Sequence, residues 1–266
     1  MLSNPLALAM LGTGFTFAAT AVGAAAVFFL RREGSAALHR ASLGFAAGVM
    51  IAASIWSLLL PAQEMAAQQQ VAEWLPTTLG FLCGGAFLFL LDHLLPHLHA
   101  GESKPEGIPS RLRRTTLLVL AVTLHNLPEG MAVGLSFAAA ATGSGAALAG
   151  SIALALGMGL QNLPEGAAIS VPLYKEGMSR RRAFVCGALS GAVEPLGGLI
   201  GVLLAVSMAR VMPFVLSFAA GAMIYVVVEE LVPQASGEEG ERHSHAGVIG
   251  AMLGFALMML LDVALG

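Results

Sequence analysis

Eight apolar stretches of about twenty residues each, separated by short polar connections, leave this chain few folds to choose from. They cover residues 5–30, 42–61, 76–98, 115–140, 146–172, 183–208, 212–233 and 246–265. Each matches the ~20 residues that carry a helix across a bilayer. Hydrocarbon offers backbone N–H and C=O groups no partner, so stretches like these span as helices. Hydrophobic residues make up 57% of the chain and charged residues 11%, a balance foreign to water-soluble domains. The connections are too short to hold a second domain. The sequence therefore predicts one all-α polytopic domain over residues 1–266, a partner of lipid and not of nucleic acid.

Charge distribution sets a topology. Arg31, Arg32 and Arg40 follow the first stretch, and Lys104, Arg111, Arg113 and Arg114 the third; Lys175, Arg180, Arg181 and Arg182 follow the fifth, and Arg242 the seventh. Of 13 Lys and Arg residues, only Arg210 falls on the other side. Cytoplasmic loops carry the basic excess of a membrane protein, which puts these four loops in the cytoplasm and both termini outside. No Lys or Arg precedes the first stretch, which argues against a cleaved leader. Compact loops and the lack of a targeting segment point to a bacterial inner membrane. Cys83 and Cys186 lie in apolar stretches and read as small core residues without a disulfide.

Two hexapeptides break the apolar pattern: His125-Asn-Leu-Pro-Glu-Gly130 and Gln161-Asn-Leu-Pro-Glu-Gly166. A carboxylate near the bilayer centre costs roughly 2.5 kcal/mol or more, so Glu129 and Glu165 must face a protein interior or a wet cavity and find partners there. The partners on offer are each other, His125, Gln161, Asn126, Asn162 or a cation. Residues four apart share a helix face, which aligns His125 with Glu129 and Gln161 with Glu165. Pro128 and Pro164 lack an N–H, so they free the carbonyls of Leu124 and Leu160 and bend their helices. Imidazole together with carboxylate suits a first-row divalent ion such as zinc; magnesium or calcium would favour an all-oxygen set.

A second repeat lies further out. Phe45-Ala-Ala-Gly-Val-Met-Ile51 returns as Phe218-Ala-Ala-Gly-Ala-Met-Ile224, and each copy runs on to a proline, Pro61 or Pro233. The copies sit in stretches two and seven, the hexapeptides in four and five, so both pairs cross the membrane in opposite directions. This is the pattern of an inverted repeat, whose Pro-interrupted helices meet where transporters bind substrate. Met50 and Met223, inside the repeated motif, read as core packing.

The two hexapeptides, together with Glu194-Pro195 in the next stretch, resemble the ZIP family of divalent-metal transporters. The Gln-Asn form of the second hexapeptide is similar to the family's GufA-type branch. The likeness covers nearly the whole chain, including eight spans, outside termini and a cytoplasmic loop bearing His97 and His99. It implies a binuclear centre between the Pro-kinked fourth and fifth helices. His125, Glu129, Gln161 and Glu165 would surround one ion, with Ser57 joining from the second span. Asn126, Asn162 and Glu194 would hold the other ion, with Glu129 and Glu165 bridging; shared negative charge offsets the repulsion of two neighbouring cations. One departure stands out: some relatives carry aspartate where this chain has Asn162, so the second site loses a charge.

Other polar residues mark a candidate pathway. Asp92 and His93 lie near the cytoplasmic end of stretch three, Glu229 and Glu230 near that of stretch seven, and His243 and His245 in the loop that follows. Snorkelling to the interface accounts for Asp92 and His93 as well as a metal exit does. A solvated loop accounts for His243 and His245. Glu64 and Glu73 lie on the outer side without a neighbouring base, placed either to attract cations or simply to be solvated.

The expected function is uptake of zinc into the cytoplasm by alternating access, with iron, manganese and cadmium fitting the same borderline donors. These ions are cargo, not cofactors. The family resemblance implies an elevator-like movement, and the apolar outer faces would permit a homodimer. A metal-selective channel would share every ligand, and an exporter would differ only in the direction of flux. A membrane zinc hydrolase would need an activated water and a general base beside the metal. No His-Glu-x-x-His occurs in the chain, and the expectation is that it is no enzyme.

Overall fold

The computed structural model describes residues 4–29, 36–95, 114–141, 145–175, 177–207, 209–236 and 245–265. They form helices α1 (Pro5–Ala24), α2 (Ala36–Ala53), α3 (Leu60–Gln68), α4 (Trp74–Leu94), α5 (Arg114–Ala140), α6 (Gly145–Lys175), α7 (Arg180–Ser190), α8 (Val193–Ser207), α9 (Met212–Val226), α10 (Val232–Ser236) and α11 (Ala246–Leu265). Seven helical runs are long and apolar enough to cross a membrane: Pro5–Phe28, Ala36–Gln68, Trp74–Leu94, Ala147–Tyr174, Arg180–Ala205, Met212–Ser236 and Ala246–Leu265. With α5, whose 27 residues reach about 40 Å, they make up the eight spans. The chain is thus an all-α membrane protein. His97, His99 and His243 lie outside the described residues.

Local chemistry sets the ends and the irregularities. The Asn4 side chain caps α1 by accepting from the backbone of Leu6 at 3.0 Å and of Ala7 at 3.4 Å, while Pro5 fills the first helical position, where an N–H would go unused. Span two runs unbroken through Gln68, further than its apolar stretch, by widening into a π-helix over Ser54–Leu59. Span seven does the same over Val227–Leu231. In both, a proline follows two residues later, Pro61 or Pro233, and its ring would clash with the carbonyl four residues back in a regular helix. A wider turn just before the ring is one way to relieve that clash.

Span six departs from the expected single helix. It breaks at Gly191 and Ala192 into α7 and α8, and the Glu194 N–H bonds to the Gly191 carbonyl at 3.0 Å as the second half begins. Glu194 therefore sits in the first turn of a half-helix, where uncapped N–H groups and the helix dipole favour a carboxylate.

The spans assort into two groups. Spans one, four, five and six pack on one another, as do two, three, seven and eight, and fewer contacts cross between the groups. The tightest pairs are related. Span two lies along span eight as span seven lies along span three, and span one meets span five as span six meets span four. Gly80, Gly84, Leu88 and Asp92 are the buried stripe of α4, and Gly250, Gly254, Met258 and Asp262 repeat it at the same spacing in α11. A Cβ at Gly84 would strike the Phe218 carbonyl, and one at Gly254 would strike the carbonyl of Phe45, which is the equivalent residue of the repeated motif. The repeat read in the sequence is thus a repeat of packing.

The core follows the same logic. Met50 and Met223 are 1% and 0% exposed in the main apolar cluster, as expected. Cys83 is not a core residue: it faces outward from α4, on a helix whose buried stripe is taken by glycines, while Cys186 is half-buried. Both cysteines are free.

Candidate metal centre

The centre is built where α5 and α6 bring their hexapeptides together. Both carry the proline inside the helix, Pro128 and Pro164. The glycine closing each hexapeptide permits a backbone contact that a side chain would forbid. Gly130 lies against the Glu194 carbonyl at the start of α8, and Gly166 against the Thr20 carbonyl of α1. Those two contacts fix spans six and one beside the motifs.

Polar side chains converge from all four helices. Gln161 Nε2 donates to Glu129 Oε2 at 2.8 Å and to Asn162 Oδ1 at 2.6 Å. Asn162 Nδ2 donates to both Glu194 oxygens, at 3.0 and 2.9 Å, and to the Thr16 carbonyl at 3.1 Å. Thr20 Oγ1 adds a bond to Glu194 Oε1 at 3.1 Å. Asn126 is fully buried and approaches Glu165 without closing a hydrogen bond of ordinary geometry. Glu129 is close enough to Glu165 and Glu194 to feel both charges, and Glu165 in turn feels Glu230. Three carboxylates held this near one another in the membrane interior call for a positive partner.

Six of the expected ligands are thus drawn together: Asn126, Glu129, Gln161, Asn162, Glu165 and Glu194. His125 holds the helix position one turn before Glu129, and its side chain lies outside the described ones. Ser57 has a different neighbour, since its hydroxyl donates to Asp262 Oδ1 at 2.7 Å and it is not part of the cleft lining. Among the described residues, no three His, Cys, Asp or Glu side chains close on a common point.

A cleft leads away from the centre. Glu129, Gln161 and Glu165 stand at its head, and Leu43, Val122, Ile169, Glu230 and Gln234 line its course. These positions lie toward the starts of spans two and four and the ends of spans five and seven, the end of the bundle that carries the basic loops. Glu230 accepts from Gln234 Nε2 at 3.2 Å beside the cleft. Of the other pathway candidates, Glu229 is half-buried, Asp92 is buried on α4, and His93 is exposed with its ring 4.5 Å from that of Phe89. His245 is exposed just before α11.

The repeat makes the opposite side comparable. Val122, Glu165, Ala168 and Leu231 on the cleft are partly exposed. Their equivalents across the repeat, Met158, Glu129, Ala132 and Leu58, are at most 2% exposed. At these four positions the cleft side is the more open of the two.

Asp262, Thr16 and Thr20 take part in these networks and are absent from the expected set. Asp262 was legible through its shared spacing with Asp92. The threonines carry no such signal, because Thr16 contributes its backbone oxygen and Thr20 a hydroxyl of a kind found throughout apolar helices.

The family model described as ZIP Zinc transporter matches residues 102–262, more than half of the chain. The chain belongs to the ZIP family. It is 38% identical to zinc transporter ZIP11 of Homo sapiens over 97% of both chains. It is 41% identical to zinc transporter ZIPB of Bordetella bronchiseptica, over 97% of this chain and 81% of that one. Zinc transporter GufA of Myxococcus xanthus is 37% identical over 79% of this chain and 81% of its own, in keeping with the branch the second hexapeptide resembles. A family of transporters sets aside the hydrolase reading.

Proposed function

We propose that this ZIP protein is one polytopic transport domain that carries divalent transition-metal cations, zinc foremost, into the cytoplasm by alternating access. The observation that carries the reading is the convergence of Glu129, Gln161 and Glu165 at the head of a cleft that runs past Glu230. His125, Glu129, Gln161 and Glu165 form the primary ion site, and a borderline metal suits that mixture of imidazole, carboxylate and amide. By the family resemblance, a second ion would lie toward Asn126, Asn162 and Glu194, with Glu129 and Glu165 shared. Iron, manganese and cadmium are competing cargo.

Several features support alternating access. The cleft and its less open counterpart are equivalent parts of a repeat, so exchanging their packing exchanges the more open side. The two helix groups meet through fewer contacts than either makes internally, which suits an elevator-like slide of spans one, four, five and six. The open end carries the basic loops, so the described state faces the cytoplasm, with both termini outside. A bacterial inner membrane accommodates this arrangement, and the outward apolar faces suit a homodimer.

Zinc uptake into proteoliposomes tests the proposal. The wild-type chain should give saturable uptake that Glu165→Ala abolishes. A folded, zinc-binding wild type that moves no divalent ion would overturn it.

A further inference from the structure

We propose that the carboxamide of Asn162 occupies the place of a second cation, so that the centre holds one metal ion at a time. The inference rests on the primary ion site proposed above and departs from the second ion that the family resemblance implies.

The argument starts from what Asn162 already does. Its side chain is fully buried, and its nitrogen has two hydrogens for three acceptors: both Glu194 oxygens and the Thr16 carbonyl. Its oxygen accepts from Gln161. The positive end of the amide therefore faces Glu194, between that carboxylate and the rest of the centre. A cation bridging toward Glu194 would meet N–H hydrogens where it needs lone pairs. To bind, it would have to turn the amide over, breaking the bonds to Glu194 and Thr16 and facing the amide oxygen away from the Gln161 N–H.

The charge available is also short of what two ions need. Aspartate at this position would add an anion, whereas Asn162 adds none. Thr20, the residue equivalent to Glu194 across the repeat, offers only a hydroxyl, and it donates that hydroxyl to Glu194. What results is a continuous chain, Glu129–Gln161–Asn162–Glu194–Thr20, in which amide N–H groups and a hydroxyl answer Glu194 from within the protein. The chain links spans four, five, six and one, so it also ties one helix group into a single body. Gln161 spends its nitrogen on this chain and keeps its carbonyl oxygen for the primary ion.

Crystals of the full-length protein grown with cadmium, read by anomalous difference maps, test the stoichiometry. The wild type should show a single peak at the centre, beside Glu129 and Glu165. Asn162→Asp should show two peaks about 4 Å apart, the usual spacing of a two-metal site. Two peaks in the wild type would overturn the proposal and leave the metal centre standing, as would one peak in Asn162→Asp. No peak at the centre of the wild type would remove the metal-centre reading and this proposal with it. If Asn162→Asp does not fold, the wild-type peak count decides.

Discussion

Ser57 Oγ donates a 2.7 Å hydrogen bond to Asp262 Oδ1, joining the π-helical stretch of span two to span eight. Both residues are buried, at 7% and 8% exposure, and Asp262 Oδ2 has no hydrogen-bond partner among the described residues. Ser57→Ala should therefore lower stability by about 1–3 kcal/mol, the cost of stranding a buried acceptor. Thermal unfolding in detergent measures it, and Ser57→Ala combined with Asp262→Leu should recover most of the loss. A double variant no more stable than the single would show that the pair is not the cause.

Gly84 and Gly254 should not tolerate a side chain, because a Cβ at either meets a carbonyl of the partner helix, Phe218 or Phe45. Replacing either by valine should cost about 1–3 kcal/mol, the usual range for overpacking. Gly14 and Gly150 have nothing within 4 Å of a built Cβ, so alanine there should be neutral or stabilise by about 0.5–1 kcal/mol through helix propensity. Equal melting points across the four variants would contradict this account of the close pairs.

Uptake should fall as the medium is acidified, because metal and protons compete for the same imidazole and carboxylate donors. Comparing zinc uptake at about pH 7.5 and about pH 5.5 measures the competition. The Michaelis constant should rise more than the maximal rate falls. A flat profile would mean that the ligands bind metal without exchanging protons.

Alternating access predicts that the cleft must close during each cycle. In a background lacking Cys83 and Cys186, cysteines at Ala46 and Ala168, one from each helix group and both lining the cleft, should be bridged by a bifunctional thiol reagent. Bridging should abolish uptake, and each single cysteine treated alike should leave it intact. Continued flux through the bridged protein would point to a pore.

Much of this organisation is legible in the sequence because hydrocarbon is a severe solvent. It restricts spans to helices of known length and makes every buried carboxylate conspicuous, so the eight spans and the need of Glu129 and Glu165 for interior partners could be read from residue type, while Glu194 joined them through the family resemblance. What could not be read follows from exceptions to those rules. The break at Gly191 and the extension of span two to Gln68 leave no trace in apolar content, since a π-turn or a half-helix keeps its side chains hydrophobic. The outward face of Cys83 depends on a glycine stripe, legible only once its counterpart on span eight is known to lie against a backbone. The hydroxyl of Ser57 goes to Asp262 because spans two and eight lie side by side, a fact of packing and not of spacing.

Ser57 and Glu230 stand at equivalent places in spans two and seven, each twelve residues past the phenylalanine that opens the repeated motif. The backbone of the two spans repeats here, while the side chains differ, a hydroxyl in one and an acid in the other. Under alternating access as proposed above, the two routes to the centre would share an architecture and differ in charge. On the transport reading proposed above, an ion leaving by the cleft would pass the carboxylate of Glu230, whereas one arriving from the other side would pass the Ser57 hydroxyl, which is engaged with Asp262. Geometric equivalence would not make such a carrier reversible on equal terms: its sidedness would be written in the charge of one side chain.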